Sequence, residues 1–168
     1  QLADYNPPVV TRIHAGDGRL MAEFAKQKRV FVPIEAMPKQ IIKAFLSAED
    51  KTFYTHPGID IPGIVRAMAT NVMRMGSNRR PIGASTITQQ VAKNFLLTNE
   101  VSIARKAKEV ILALRIERAF TKDRILELYL NEIYLGFGSY GVAAAALNYF
   151  DKSLDELTLG EAAFLAGL

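Results

Sequence analysis

From Pro38 to the last residue one helix-start signal follows another, and the apolar residues between them recur at helical spacing, so the chain has room for little but a mainly helical domain. Pro38 suits the first turn of a helix, and the run to Asp50 contains no breaker. Asp60 can cap a helix from Ile61 to about Met75 that tolerates Pro62 in its first turn, and Gly76 ends it. Thr86-Ile87-Thr88-Gln89 fits a capping box opening a helix to about Leu97, Ser102 or Ile103 starts a long helix to about Phe120, and Thr121 caps the next. Gly136, Gly138 and Gly141 break the chain before an alanine-rich helix to about Phe150, and Thr158 with Glu161 makes a second capping box. Ahead of Pro38 the pattern differs. Val9–His14 and Arg19–Phe24 flank an Asp-Gly hairpin turn, and Arg29–Val32 is a candidate third strand. The expected organisation is a β-rich lead-in over residues 1–37 and a helical domain over 38–168 that stops in the middle of an apolar helical pattern.

Composition narrows the chemistry. Of 168 residues, 49% are hydrophobic, enough for a sizeable core in one domain. The chain has no cysteine, which removes thiolate metal sites and a thiol nucleophile, and its two histidines, His14 and His56, argue against a histidine-rich metal site. A net charge of +4 suits nucleic acid, anionic lipid or pyrophosphate equally. No apolar run approaches the roughly 20 residues of a membrane span.

Against this background some polar residues stand where apolar ones are expected. In the first helix Ile41, Ile42, Phe45 and Leu46 share a face, and Glu49 falls in the middle of it. A carboxylate that loses water there gains affinity for a proton, and Asp50 adds like-charge pressure in the same direction, which is how a general base is built. The alternative is a last turn that has already left the core and lets Glu49 reach solvent. On the helix after the basic loop SNRRPIG, Ile87, Val91 and Phe95 form one face while Thr86, Gln90 and Lys93 line another, suited to a sugar and its phosphate or simply to water. In the long helix Ile103, Ala107, Val110 and Leu114 make a first apolar stripe, and Leu112 and Ile116 a second that continues into Glu109 and Arg105. Arg105 and Lys106 would keep Glu109 ionised, and an ordinary helical ion pair reads the same way.

EDKTFYTHPG at Glu49–Gly58, GASTITQQVAKN at Gly83–Asn94, RKAKE at Arg105–Glu109, KDRILELYLN at Lys122–Asn131 and YGVAAAALNYF at Tyr140–Phe150 occur in one order. In them the sequence resembles the peptidoglycan glycosyltransferase domain of class A penicillin-binding proteins, glycosyltransferase family 51. The resemblance implies a mainly α, lysozyme-like domain with a small N-terminal β element. It implies that Glu49 is the general base, taking the proton from the 4-hydroxyl of lipid II, and that Glu109 works beside the departing pyrophosphate with Arg105 and Lys106 as cations. Thr86, Gln90, Lys93 and Asn94 match the motif that lines the donor groove, and Asp50, Phe53 and His56 match positions that shape the site around the base. A divalent cation, Mg or Mn, is the one implied cofactor, with no ligand residues assigned. The implied partners are lipid II, a lipid-linked glycan chain, the membrane surface through Arg66–Arg80, and a transpeptidase domain in the full-length protein, with no nucleic acid. The implied location is the bacterial cell envelope, at the outer, periplasmic face of the cytoplasmic membrane, with the anchor and later helices outside this chain.

Two other functions fit parts of the pattern. A lytic glycan-cleaving enzyme of the same fold also needs a helix-borne glutamate beside a sugar groove, but not the RKAKE cations. A cationic module that binds glycan or nucleic acid without turnover would use Arg79, Arg80 and the polar face at Thr86.

Overall fold

The computed structural model describes residues 11–14, 20–24, 28–75, 83–96 and 102–168. These residues are mainly helical, as the sequence pattern predicts. The elements are β1 (Thr11–His14), β2 (Leu20–Phe24), β3 (Lys28–Arg29), α1 (Lys39–Glu49), α2 (Ile61–Met73), α3 (Ile87–Leu96), α4 (Ile103–Ala119), α5 (Lys122–Glu132), β4 (Ser139–Tyr140), α6 (Val142–Phe150) and α7 (Leu159–Ala166). The chain divides into two compact units, residues 1–45 with 130–168, and residues 46–129.

In the first unit β1 and β2 form the expected antiparallel pair, Thr11 opposite Phe24 and Ile13 opposite Ala22, with an irregularity before His14. The expected third strand is different. β3 is two residues long and pairs in parallel with β4, far away in sequence. Beyond it the side chain of Asn131 takes the backbone of Val32 at both ends: Val32 N–H donates to Asn131 Oδ1 at 2.8 Å, and Asn131 Nδ2 donates to the Val32 carbonyl at 2.9 Å. With both groups satisfied by a side chain, the strand has no ladder to extend. Small residues carry the other close approach: Val142 through Ala146 of α6 are all buried. Gly141, at φ +83°, leads into them; a Cβ there would lie 2.5 Å from the Asn131 carbonyl oxygen, so only glycine fits. Glu161 closes the predicted capping box on α7, accepting from Thr158 N–H at 2.7 Å.

In the second unit the caps also stand where the sequence puts them. Asp60 accepts from Gly63 N–H at 2.9 Å. Ser102 accepts from Arg105 N–H at 3.1 Å, and Thr121 from Arg124 N–H at 3.3 Å. The core here holds Phe53, Ile87, Val91, Ala113, Ile116, Ile125, Leu126, Leu128 and Tyr129, each large apolar side chain contributing about 1.5–3 kcal/mol when fully buried. α3 packs on α4, and α4 turns a different face inward from the first stripe expected of it. Glu109, Ala113 and Ile116 are buried while Ile103 is 91% exposed. Burial follows the stripe that carries Glu109. α2 buries only Ala67 and leaves Ile61, Val65, Met68 and Val72, one helical face, exposed. No helix among the described residues is long and apolar enough to cross a membrane.

Candidate active site

Glu49 is the last residue of α1, and it is exposed. The apolar face of the helix ends at Ile41 and Phe45, and one turn later the residues that enter the core are Asp50 and Phe53. The expected desolvation of Glu49 by its own helix is therefore not what the fold provides; the last turn has left the core. Its hydrogen-bond partner comes from α3: Gln90 Nε2 donates to Glu49 Oε2 at 2.7 Å. One carboxylate oxygen is thus oriented by an amide, and the carboxylate faces a cavity of about 270 Å³ lined also by Ser47, Thr52, Asp60, Arg66, Thr70 and Ser85. That volume lies just under the roughly 300–1,000 Å³ of typical ligand clefts.

Asp50 is the buried acid of the pair, and its contacts explain why the chain turns here. Its carboxylate lies 2.9 and 3.0 Å from His56 Nε2 and accepts from Ile87 N–H, at the start of α3, at 3.1 Å. Gly58 N–H donates to His56 Nδ1 at 3.1 Å. Since Nδ1 accepts, the pattern assigns the imidazole proton to Nε2, where it is donated to Asp50. Phe53 is buried beneath this turn, edge-on to His56 with ring centroids 6.2 Å apart.

Thr86 lines the same cavity, but its hydroxyl is engaged within the protein. It is buried, its hydroxyl donates to the Gly58 carbonyl at 2.6 Å and accepts from Gln89 N–H at 3.2 Å, and Gln89 Oε1 accepts from Thr86 N–H at 2.9 Å. The capping box consumes the hydroxyl, so Thr86 fixes the start of α3. Gly58 makes that joint possible. At φ +92° a Cβ would lie 2.8 Å from Glu117 Cγ and 3.2 Å from the Ala113 carbonyl oxygen. Gly58→Ala is expected to cost about 1–3 kcal/mol, read as a lower melting temperature; an unchanged melt would show that the loop relaxes freely.

The second acid is Glu109, 2% exposed, held by Lys106 one turn before it and with Arg105 Nη1 at 4.0 Å. Lys106 Nζ also donates to Ser85 Oγ at 2.9 Å, which ties the cation cluster to a residue lining the Glu49 cavity. Arg105 Nε is buried without a hydrogen-bond partner among the described residues. Lys93 and Asn94 are exposed further along α3 and do not line the cavity. Arg79 and Arg80 lie outside the described residues.

Sequence reasoning passed over part of this site. Arg66 and Thr70 stand at i and i+4 on α2, a polar pair that was legible but hidden among the apolar residues around it. Tyr129 reads as core from its spacing and is core, yet burial, and after it the charges of Glu49 and Asp50, push its phenol well above the ordinary range. Tyr54, whose hydroxyl donates to Asp123 at 3.0 Å, is raised by burial and by that carboxylate.

The family model described as Transglycosylase matches residues 17–168. Penicillin-binding protein 1A of Rickettsia prowazekii (strain Madrid E) is 62% identical over 168 residues, covering 100% of this chain and 21% of that protein. Penicillin-binding protein 1A of Escherichia coli (strain K12) is 48% identical over 167 residues, covering 99% of this chain and 19% of that protein. The chain thus spans about a fifth of the length of these relatives. The crystal structure of Penicillin-Binding Protein 1A from Haemophilus influenzae aligns at 30% identity and a TM-score of 0.45, over 95% of this chain and 14% of that chain. Because the matched span runs through the Glu49 cavity, the start of α3 and the Arg105–Glu109 cluster alike, the chain belongs to the Transglycosylase family.

Proposed function

We propose that this chain, on a lysozyme-like helical scaffold, polymerises lipid II into β-1,4-linked glycan with inversion at the anomeric carbon and release of lipid pyrophosphate. The observation that carries the reading is an exposed, amide-oriented carboxylate facing a polar cavity, with a buried carboxylate holding two cations a lysine's reach from that cavity.

In this reading the GlcNAc of lipid II enters beside Glu49 and displaces water from the cavity. Gln90 engages Oε2 and leaves Oε1 to accept the proton of the 4-hydroxyl. The oxygen attacks the anomeric carbon of the lipid-linked glycan from the face opposite the pyrophosphate, and the electron pair of the breaking C–O bond leaves with that pyrophosphate. Arg105 and Lys106 stabilise the leaving anion, the kind of preorganised electrostatic term that contributes most in a dry site. Glu109 acts beside it by fixing both cations. Asp50, Phe53 and His56 hold the loop behind the base, Thr86 fixes α3, and Lys93 and Asn94 reach the donor strand from their exposed positions. A Mg or Mn ion would be held chiefly by the substrate pyrophosphate with one or two carboxylates and would share the neutralisation of the leaving anion; no three His, Asp or Glu side chains gather among the described residues to hold it alone, and Glu109 already faces two cations.

The same reading places the chain at the outer face of the cytoplasmic membrane, next to a transpeptidase domain in the longer protein. Met68, Met73 and Met75 are 65%, 86% and 81% exposed and flank Arg66 and Arg74, so this stretch presents flexible apolar side chains among cations, as an interfacial segment does. Replacing the three methionines with serine is expected to lower co-sedimentation with anionic vesicles by about tenfold, equivalent to ~1.4 kcal/mol; unchanged pelleting would remove the membrane role.

The test of the function is incubation with labelled lipid II. Polymeric glycan is expected. Shortening of preformed glycan would instead identify a lytic enzyme, and steeply salt-dependent binding without turnover would identify a binding module.

A further inference from the structure

Next to His56 an ammonium group joins the two segments that build the base. Lys122, the first residue of α5, donates from Nζ to the His56 carbonyl at 2.7 Å and to Glu117 Oε1 at 2.7 Å, and lies 4.5 Å from the Phe53 ring centroid. Glu117 Oε1 in turn accepts from Thr88 Oγ1, in the first turn of α3, at 2.5 Å. The side chains of Lys122 and Glu117 are 20% and 10% exposed, so the contact is largely withdrawn from water.

We propose that Lys122 is a positioning residue for the Glu49 base, acting through His56 and Asp50 on one side and through Glu117 and Thr88 on the other. The two routes converge. On the first, Lys122 fixes the His56 carbonyl, the His56 ring donates to Asp50, and Asp50 follows Glu49 in the chain. On the second, Thr88 holds the turn of α3 from which Gln90 reaches Glu49. A lysine suits the task because three donors on one nitrogen can satisfy a carbonyl and a carboxylate together while the ammonium sits over the Phe53 ring. These hydrogen bonds are thereby more than local stabilisers: they set the distance between the end of α1 and the start of α3. The catalytic consequence rests on the glycosyltransferase reading above, whereas the hold on His56 does not.

The experiment uses Lys122→Met and Glu117→Gln, with ¹⁵N-imidazole spectra as the readout free of turnover; the chain has only His14 and His56 to resolve. The parent is expected to show His56 in the Nε2–H form. Lys122→Met is expected to lose that single tautomer and to lower kcat about 10- to 100-fold with KM within about twofold, the scale for a displaced reacting group. Glu117→Gln keeps an acceptor for Lys122 and Thr88 and is expected to retain the tautomer and most of the activity. If Lys122→Met does not fold, Lys122→Gln, which keeps a donor, takes its place with a smaller shift in the same direction. An unchanged His56 spectrum, or equal losses in the two variants that follow melting temperature alone, would overturn the proposal. A changed spectrum in a protein that makes no glycan would support the positioning and count against the glycosyltransferase reading only.

Discussion

Glu49→Gln is expected to bind a lipid II analogue as the parent does and to make glycan at about 10⁻² to 10⁻⁴ of the parental rate, the range lost when a general base is removed. Glutamine preserves the shape and still accepts from Gln90 Nε2, so the geometry around the cavity is kept while the basic oxygen is lost. Stability should change by no more than about 0.5 kcal/mol, because Glu49 is exposed and its loss strands no buried charge. The measurement is a rate beside a thermal melt. A variant keeping more than about a tenth of parental activity would remove Glu49 as the base, and a large fall in melting temperature would show a structural acid instead.

The second large effect is expected at the cation cluster, and here the two substitutions differ. Arg105→Ala leaves Lys106 on Glu109 and removes a partly buried guanidinium whose Nε has no partner among the described residues, so activity should fall steeply with little loss of stability. Removing one stabiliser of developing negative charge typically costs about 10²–10³ in kcat. Glu109→Gln keeps the volume of a side chain that is 2% exposed but leaves two cations without their carboxylate. Both activity and stability should fall, the latter by about 3–5 kcal/mol if the cations cannot turn to solvent and by less because Lys106 can. Parallel melts and rates separate the outcomes: stability lost with activity intact in the folded fraction would make the cluster a structural ion pair and no part of the chemistry.

How much of this was written in the sequence depends on whether the deciding interaction is local. Asp60, Thr86 with Gln89, Ser102 and Thr158 with Glu161 each cap a helix through atoms three residues away, and a reading of spacing finds them. The acid of α4 was legible for a similar reason, since Arg105 and Glu109 interrupt the stripe that is buried. Contacts across long separations were not. β3 pairs with β4 rather than extending beside β2, because Asn131 captures Val32 from 99 residues away. Glu49 sits at a helical spacing that predicts burial, but the chain turns at Asp50, whose carboxylate is called inward by His56 and by Ile87 N–H. Thr86 sits on the same helical face as Gln90, yet a bond to the Gly58 carbonyl spends its hydroxyl. For Glu49 and Thr86 the period of the helix was right, and polar contacts made beyond the helix decided the surroundings of the side chain.

The most direct measurement counts lipid pyrophosphate released against glycosidic bonds made when the protein is given labelled lipid II. The account predicts one released pyrophosphate for each new β-1,4 linkage, in strands that lengthen with time and fail to form with Glu49→Gln. Glycan bonds cleaved with no pyrophosphate released, or pyrophosphate released with no linkage formed, would contradict it.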